Sequence, residues 1–320
     1  MEESLIVSIG PHIRSRESTK KIMWSVAVSL VPAGLAGVFI FGLNSLFVII
    51  ASVLAALATE YIICAMRKRE IVISDGSALM TGLLLAYNLP PGVPLWVPIA
   101  GSCFAIAVGK QAFGGLGHNI FNPALIGRAF LMISWPVYMT TWQNPRWVAD
   151  AVTTATPLAV VKDSAAFGIL RLPSYWDLFI GNRGGCIGEV CVIALLVGAL
   201  YLLWRRHISW HIPLTYIAAV ALLSWIFNGQ NGFFTGDAVL FVLSGGLVLG
   251  AFFMATDYVT SPLSARGKIV FGAACGVLTF AIRKFSGYPE GVSYAILIMN
   301  SAVPLIDRYM YPKWFGWAKK

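Results

Sequence analysis

Three threonines crowd the stretch Asp150-Ala-Val-Thr153-Thr154-Ala-Thr156-Pro-Leu158, which lies in the only long polar loop of an apolar chain. Hydroxyls this dense have two uses. They accept hydrogen bonds from the free backbone N–H groups at a helix start, or they present oxygen atoms for covalent attachment of a group. A second constellation is Gly114-Gly115-Leu-Gly117-His118-Asn119-Ile-Phe-Asn122-Pro123. Glycines such as Gly115 let backbone approach a planar ligand closely, and Asn119 and Asn122 offer directional hydrogen bonds to the edge of a heterocycle. The competing use is a tight re-entrant turn capped by the two asparagines. No strand precedes the segment, so it is not a dinucleotide-binding fingerprint. Arg128, five residues beyond Pro123, is either a snorkelling cation or the partner of a phosphate or carboxylate. Asp75, Asp237 and Asp257 each stand at the edge of an apolar run. They cap helices, or they line a cation route, because ionisable groups at membrane depth are costly unless paired or functional.

The elements that position these residues follow from composition. Of 320 residues 58% are apolar and 12% charged, against about 45–50% and about 25% in soluble domains. This is a polytopic membrane protein with an all-α fold. The net charge of +9 comes from basic residues flanking apolar runs, so it reports topology, and nucleic acid is excluded as a partner. The polar first 21 residues carry Glu2, Glu3 and Glu17 and lack the form of a cleaved signal. The five cysteines form no C-x-x-C pair and read as small buried hydrophobes, with Cys186 and Cys191 the one pair near enough for a bridge. The four histidines give no basis for haem ligation or a metal site.

Apolar runs of about 20 residues mark spans. Seven stand out: Ile22 to Leu43, Leu46 to Met66, Ile187 to Trp204, Ile212 to Phe227, Ala238 to Ala255, Ile269 to Ile282 and Val292 to Ile306. Three more, Ser77 to Leu89, Val93 to Val108 and Phe121 to Met139, are interrupted by Gly and Pro, as helices are where broken backbone lines a cavity. Ten spans with a cytoplasmic N-terminus put sixteen basic residues inside and six outside, with Arg128 within a span, which satisfies the positive-inside rule. Both termini are then cytoplasmic and the threonine loop lies on the opposite side. Five spans either side of that loop run in opposite directions, giving two inverted five-helix repeats. The divisions are 1–21, an N-terminal segment; 22–134, the first repeat; 135–186, the extracytoplasmic loop; 187–308, the second repeat; and 309–320, the tail. Gly109-Lys110-Gln-Ala-Phe-Gly-Gly115 in the first repeat faintly echoes Arg283-Lys284-Phe-Ser-Gly287 in the second. Glu60 and Glu189, near span ends, read as interfacial carboxylates.

Along nearly its whole length the chain resembles the family of the flavin-bearing D subunit of the Rnf ferredoxin:NAD oxidoreductase and the B subunit of the sodium-pumping NADH:quinone reductase. The resemblance rests on Gly10-Pro-His12, Asp75-Gly-Ser77, Phe113 to Pro123, Asp150 to Leu158, Gly185-Cys-Ile-Gly-Glu189, Ala255 to Pro262 and Gly287-Tyr-Pro-Glu-Gly291. Length and span count favour the Rnf type. It implies FMN joined by a phosphoester to Thr156, with Asp150 and Thr153 recognised by a flavin transferase. The chain has Thr153-Thr154-Ala155 where Ser-Gly-Ala or Ser-Ser-Ala is common in the family. It further implies a non-covalent riboflavin, for which Gly115, Asn119, Asn122 and Arg128 are candidate contacts. Asp75, Asp237 and Asp257 are candidates for a Na+ or H+ path. The expected role is an electron-carrying subunit in a bacterial or archaeal cytoplasmic membrane, partnered by the other subunits of the complex and catalysing no bond-breaking step itself. The competing reading is a small-solute channel, since inverted five-span repeats also occur in ammonium and urea transporters.

Overall fold

A computed structural model describes residues 17–69, 73–147, 156–161, 173–229, 232–287 and 290–310. Asp150 and Thr153 lie outside the described residues. Every regular element among those described is helical. The first group comprises α1 (Thr19–Phe41), α2 (Leu43–Met66), α3 (Ser77–Tyr87), α4 (Trp96–Phe104) and α5 (Pro123–Ser134). The second comprises α6 (Val192–Trp204), α7 (His211–Phe227), α8 (Ala238–Leu243), α9 (Leu247–Leu249), α10 (Ala265–Phe285) and α11 (Val292–Met310). Among the described residues three helices, α1, α2 and α10, are long and apolar enough to cross a membrane by themselves. Four others, α3, α5, α6 and α7, are apolar but shorter.

Local chemistry fixes the ends. Ser18 accepts the Lys21 N–H to start α1, and Gly42, at φ +90°, stops it. Asn122 accepts the Ala124 N–H and Pro123 opens α5, which matches the preference for proline in the first turn. Ser264 caps α10 through the Gly267 N–H. Beyond α4 and α9 the chain widens into i→i+5 turns, Ala105–Gln111 and Gly250–Met254. Such turns are uncommon and concentrate at functional sites.

Within each group the helices pack as neighbours, α2 against α3 and α4, and α7 against α10. Between groups α1 meets α6 and α5 meets α11. Side chains are missing where backbones come closest. A Cβ on Gly198 of α6 would lie 2.0 Å from the Ser29 carbonyl oxygen of α1, and one on Gly37 of α1 would lie 2.3 Å from the Ile187 carbonyl oxygen. Within lipid, where helix association draws little on the hydrophobic effect, small residues permit the close contact that holds helices together. Gly198→Ala therefore forces α1 and α6 apart, and we expect a loss of about 1–3 kcal/mol, read as a lower unfolding temperature in detergent.

The segment between 181 and 191 is not helical. Its Ile187 and Gly188 N–H groups donate to the carbonyls of Leu89 and Tyr87, closing the C-terminal end of α3. The cysteines are free, so the Cys186–Cys191 bridge is absent; Cys186 is buried and donates to the Asn88 carbonyl. Of the loop tryptophans, Trp147 and Trp176 are exposed, as interfacial rings would be, whereas Trp142 is buried.

Candidate functional site

The glycine–asparagine segment folds against a cavity with mainly apolar walls on which a few polar groups converge, the usual character of a small-molecule site. Its walls come from both helix groups. Met23, Ser77, Met80, Lys110, Asn119 and Asn122 line it from the first; Leu202, Phe252, Phe253 and Asp257 line it from the second. The widened turns after α4 and α9 each contribute residues, Lys110 from one and Phe252 and Phe253 from the other.

Asn119 and Asn122, the two asparagines expected to meet a heterocycle, do different jobs. Asn122 is committed: its Oδ1 caps α5 and its Nδ2 donates to the Met254 carbonyl, tying the first group to the second. Asn119 donates through Nδ2 to the Phe121 carbonyl at 3.1 Å, but its Oδ1 is buried and has no partner among the described residues. A buried orphan acceptor is costly unless a donor arrives, and the ring N–H of a planar heterocycle is such a donor. Asp257, on the opposite wall, accepts a hydrogen bond from Thr260. Burial pushes its carboxyl above the ordinary range, against the pull of that bond and of nearby backbone N–H groups.

Gly115 and Asp75 line a neighbouring polar cleft with Glu60, Cys64, Arg69 and Gln111. Asp75 accepts from both the N–H and hydroxyl of Ser77. Asp237 caps α8 through the Leu240 N–H and accepts from the Tyr175 hydroxyl at 2.7 Å, which raises the Tyr175 phenol above its usual value. It lines neither the cavity nor the cleft.

Two features escape a reading of the sequence. The first is a buried ion pair: Lys110 Nζ lies 2.6 Å from Glu60 Oε1 and 2.6 Å from Ser77 Oγ, with Gln111 Nε2 donating to the same Glu60 oxygen at 3.1 Å. Lys110, expected at a cytoplasmic surface, is 2% exposed. The second is a buried cluster of Arg128, Arg183, Arg283, Glu189 and Glu290. Arg128 pairs with Glu290 and donates to Asn88 Oδ1 at 2.6 Å, so it does not reach the cavity that Asn119 and Asn122 line. Arg283 donates to the carbonyls of Phe241 and Ser244, and Arg183 to that of Glu189. The Nε of Arg183 and that of Arg283 have no partner among the described residues.

Thr156 lies two residues before Leu158, which is a neighbour of this cluster. It is 3% exposed, and its hydroxyl accepts the Ala159 N–H at 3.3 Å at the start of a helical turn over 157–161. That is the capping role a threonine can fill unaided. Leu158, two residues on, packs over Gly245, whose other close neighbours are the Arg283 guanidinium and Glu290. Gly245, at φ +66°, and Gly246, where a Cβ would lie 2.7 Å from a Glu189 carboxylate oxygen, keep this junction free of side chains. Three arginines against two glutamates give the cluster beside Leu158 a formal excess of positive charge.

Comparison with known proteins adds to this geometry. Residues 6–316 match the model of the NQR2, RnfD, RnfE family. The chain is 50% identical over 316 residues, covering 97% of it and 96% of the relative, to the D subunit of the proton-translocating ferredoxin:NAD(+) oxidoreductase complex of Clostridium ljungdahlii. It is 46% identical over 321 residues, 99% of it and 97% of the relative, to the D subunit of the Na(+)-translocating ferredoxin:NAD(+) oxidoreductase complex of Acetobacterium woodii. A third relative, the D subunit of the ion-translocating oxidoreductase complex of Citrobacter koseri, is 36% identical over 348 residues, 97% of this chain and 98% of its own length.

Proposed function

The chain belongs to the NQR2, RnfD, RnfE family, and from that premise we propose that it is the D-type membrane subunit of an ion-translocating oxidoreductase complex, relaying electrons through FMN esterified to Thr156. The observation that carries the subunit reading is the 50% identity, end to end, with a protein of that name. The flavin reading rests on the threonine segment and on the surroundings of Thr156. Thr156 is buried and Leu158, two residues on, packs near Arg283 and Glu290, so the phosphoester would stand out of bulk water and within two residues of an arginine-rich cluster. Because Thr156 is buried in the folded chain, the transferase would act before this segment packs. Other subunits of the complex would hold the ferredoxin and NAD chemistry and pass electrons to and from this one.

We assign the cavity of Asn119 to a second, non-covalent flavin, riboflavin. Such a flavin accepts and gives up electrons; the protein holds it, excludes water and sets the charge around it. Apolar walls from Met80, Leu84, Phe252 and Phe253 suit a ring face, and the orphan Asn119 Oδ1 suits its N–H edge. Loss of a buried hydrogen bond is worth about 1–3 kcal/mol. Asn119→Ala should accordingly weaken riboflavin binding by roughly tenfold, measured by fluorescence quenching on titration into flavin-stripped chain; unchanged affinity would place the ring elsewhere.

The topology that fits is ten spans in two inverted repeats, with both termini cytoplasmic in a bacterial or archaeal inner membrane. Pairing of α1 with α6 and of α5 with α11, first with first and last with last, supports it. So does a buried cation late in each group, Lys110 after α4 and Arg283 in α10. Of the ion-path candidates, Asp75 lines the cleft and Asp257 the cavity, so these two are better placed than Asp237.

A further inference from the structure

Lys110 joins the cavity to the cleft. Its side chain lines the cavity, and its Nζ donates to Ser77 Oγ, held in turn by Asp75, and to Glu60 Oε1 on the cleft side. Glu60 is 5% exposed and lines the cleft, and its second oxygen, Oε2, is buried with no partner among the described residues. A buried carboxylate with one oxygen paired and the other bare is half-compensated. The other charges nearby are committed. Arg69, which lines the cleft, donates to the carbonyl of Gly114, and Arg67 donates to that of Gln111. Asp75 is held by Ser77, and Asp257, across the cavity, by Thr260. A negative charge arriving in the cavity therefore competes with Glu60 for Lys110.

We propose that Lys110 couples the charge of a ring held in the cavity to proton uptake at Glu60. The coupling rests on the reading of that cavity as a flavin site. The balance is one electron and one proton. The electron comes from a one-electron donor of the reduced iron–sulfur protein class and adds one negative charge beside Lys110. Lys110 stays protonated and turns an N–H from Glu60 Oε1 toward the cavity. Glu60, now short of its counter-charge, takes a proton from water in the cleft onto Oε2, forming an O–H bond and leaving the site with its original net charge. By linkage the reverse holds: protonating Glu60 frees Lys110 and favours the reduced ring by the same factor. The widened turn of Ala105–Gln111, which buries Lys110 instead of leaving it at the surface, is the backbone device that makes this contact.

The test uses full-length chain carrying Thr156→Ala, so that only cavity-bound riboflavin is read, and follows it by redox-difference infrared spectroscopy and potentiometry. Reduction should produce a protonated-carboxyl band that Glu60→Gln abolishes. In Lys110→Met, with Glu60 already protonated before reduction, the band should drop out of the difference spectrum, and the riboflavin potential should fall by at least a tenfold change in equilibrium constant, about 59 mV for one electron. Glu60→Gln alone should move the potential the opposite way, and Lys110→Arg should restore most of it. If Lys110→Met fails to fold, the Lys110→Gln/Glu60→Gln pair replaces it, with a potential below that of Glu60→Gln alone. A band that survives Glu60→Gln, or a potential indifferent to charge at residue 110 in folded, riboflavin-bearing protein, overturns the coupling. If the chain with Lys110 and Glu60 intact retains no riboflavin, the cavity assignment itself falls and the coupling with it.

Discussion

Thr156→Ala abolishes covalent flavin completely: the denatured variant shows no fluorescent band on a gel, while Thr153→Ala and Thr154→Ala retain one, weaker where recognition by the transferase is disturbed. The expectation is all-or-none because an ester needs an oxygen and alanine has none. Serine at 156 keeps the oxygen and should keep some label. The fold should survive the change. Thr156 accepts one local hydrogen bond, from the Ala159 N–H at the start of a helical turn, and losing such a cap costs about 0.5–2 kcal/mol. Loss of the band therefore reports attachment and not collapse, provided the variant is recovered in similar amount from membranes. Persistence of the band in Thr156→Ala would move the attachment to another hydroxyl.

The second large effect concerns stability. Arg128 on α5 reaches Asn88 at the end of α3 and Glu290 just ahead of α11, so it fastens the two helix groups together. Both side chains of the ion pair are close to fully buried. Arg128→Met strands the Glu290 carboxylate, which already has one oxygen without a partner among the described residues. Removing one member of a buried pair costs about 3–5 kcal/mol, whereas replacing both by apolar side chains of similar volume is often neutral. Thermal unfolding in detergent should thus show a severe loss for Arg128→Met and recovery of most of it in Arg128→Met/Glu290→Met. Equal instability of the single and double variants would mean that Arg128 acts through Asn88 instead.

What is legible in the sequence depends on the distance between partners in the chain. Helices and an apolar, membrane-compatible character follow from long apolar runs and sparse charge. Local chemical signals are equally plain: Asn122 with Pro123 opens α5, and Asp75 holds the turn before Ser77. The glycine–asparagine segment announces a close approach of backbone, and it does line a cavity. Nothing local says that Asn122 is spent on the Met254 carbonyl, 132 residues away, leaving Asn119 with the free acceptor. Lys110 reads as a surface cation because the apolar run stops at Val108. The helix instead continues past it in widened turns, and the partner that makes burial tolerable, Glu60, lies on α2. Arg128 reads as a ligand for an anion, and its anion is Glu290, 162 residues on. Charge pairs between distant helices leave no local signature, because each member alone looks like an ordinary span-end charge.

Peptide mass spectrometry of chain isolated from its native membrane decides whether FMN is carried on Thr156. The peptide spanning Asp150 to Leu158 should carry the added mass of one FMN, with fragment ions assigning it to Thr156. That peptide recovered only in unmodified form, or with the flavin on Thr153 or Thr154, would contradict the assignment.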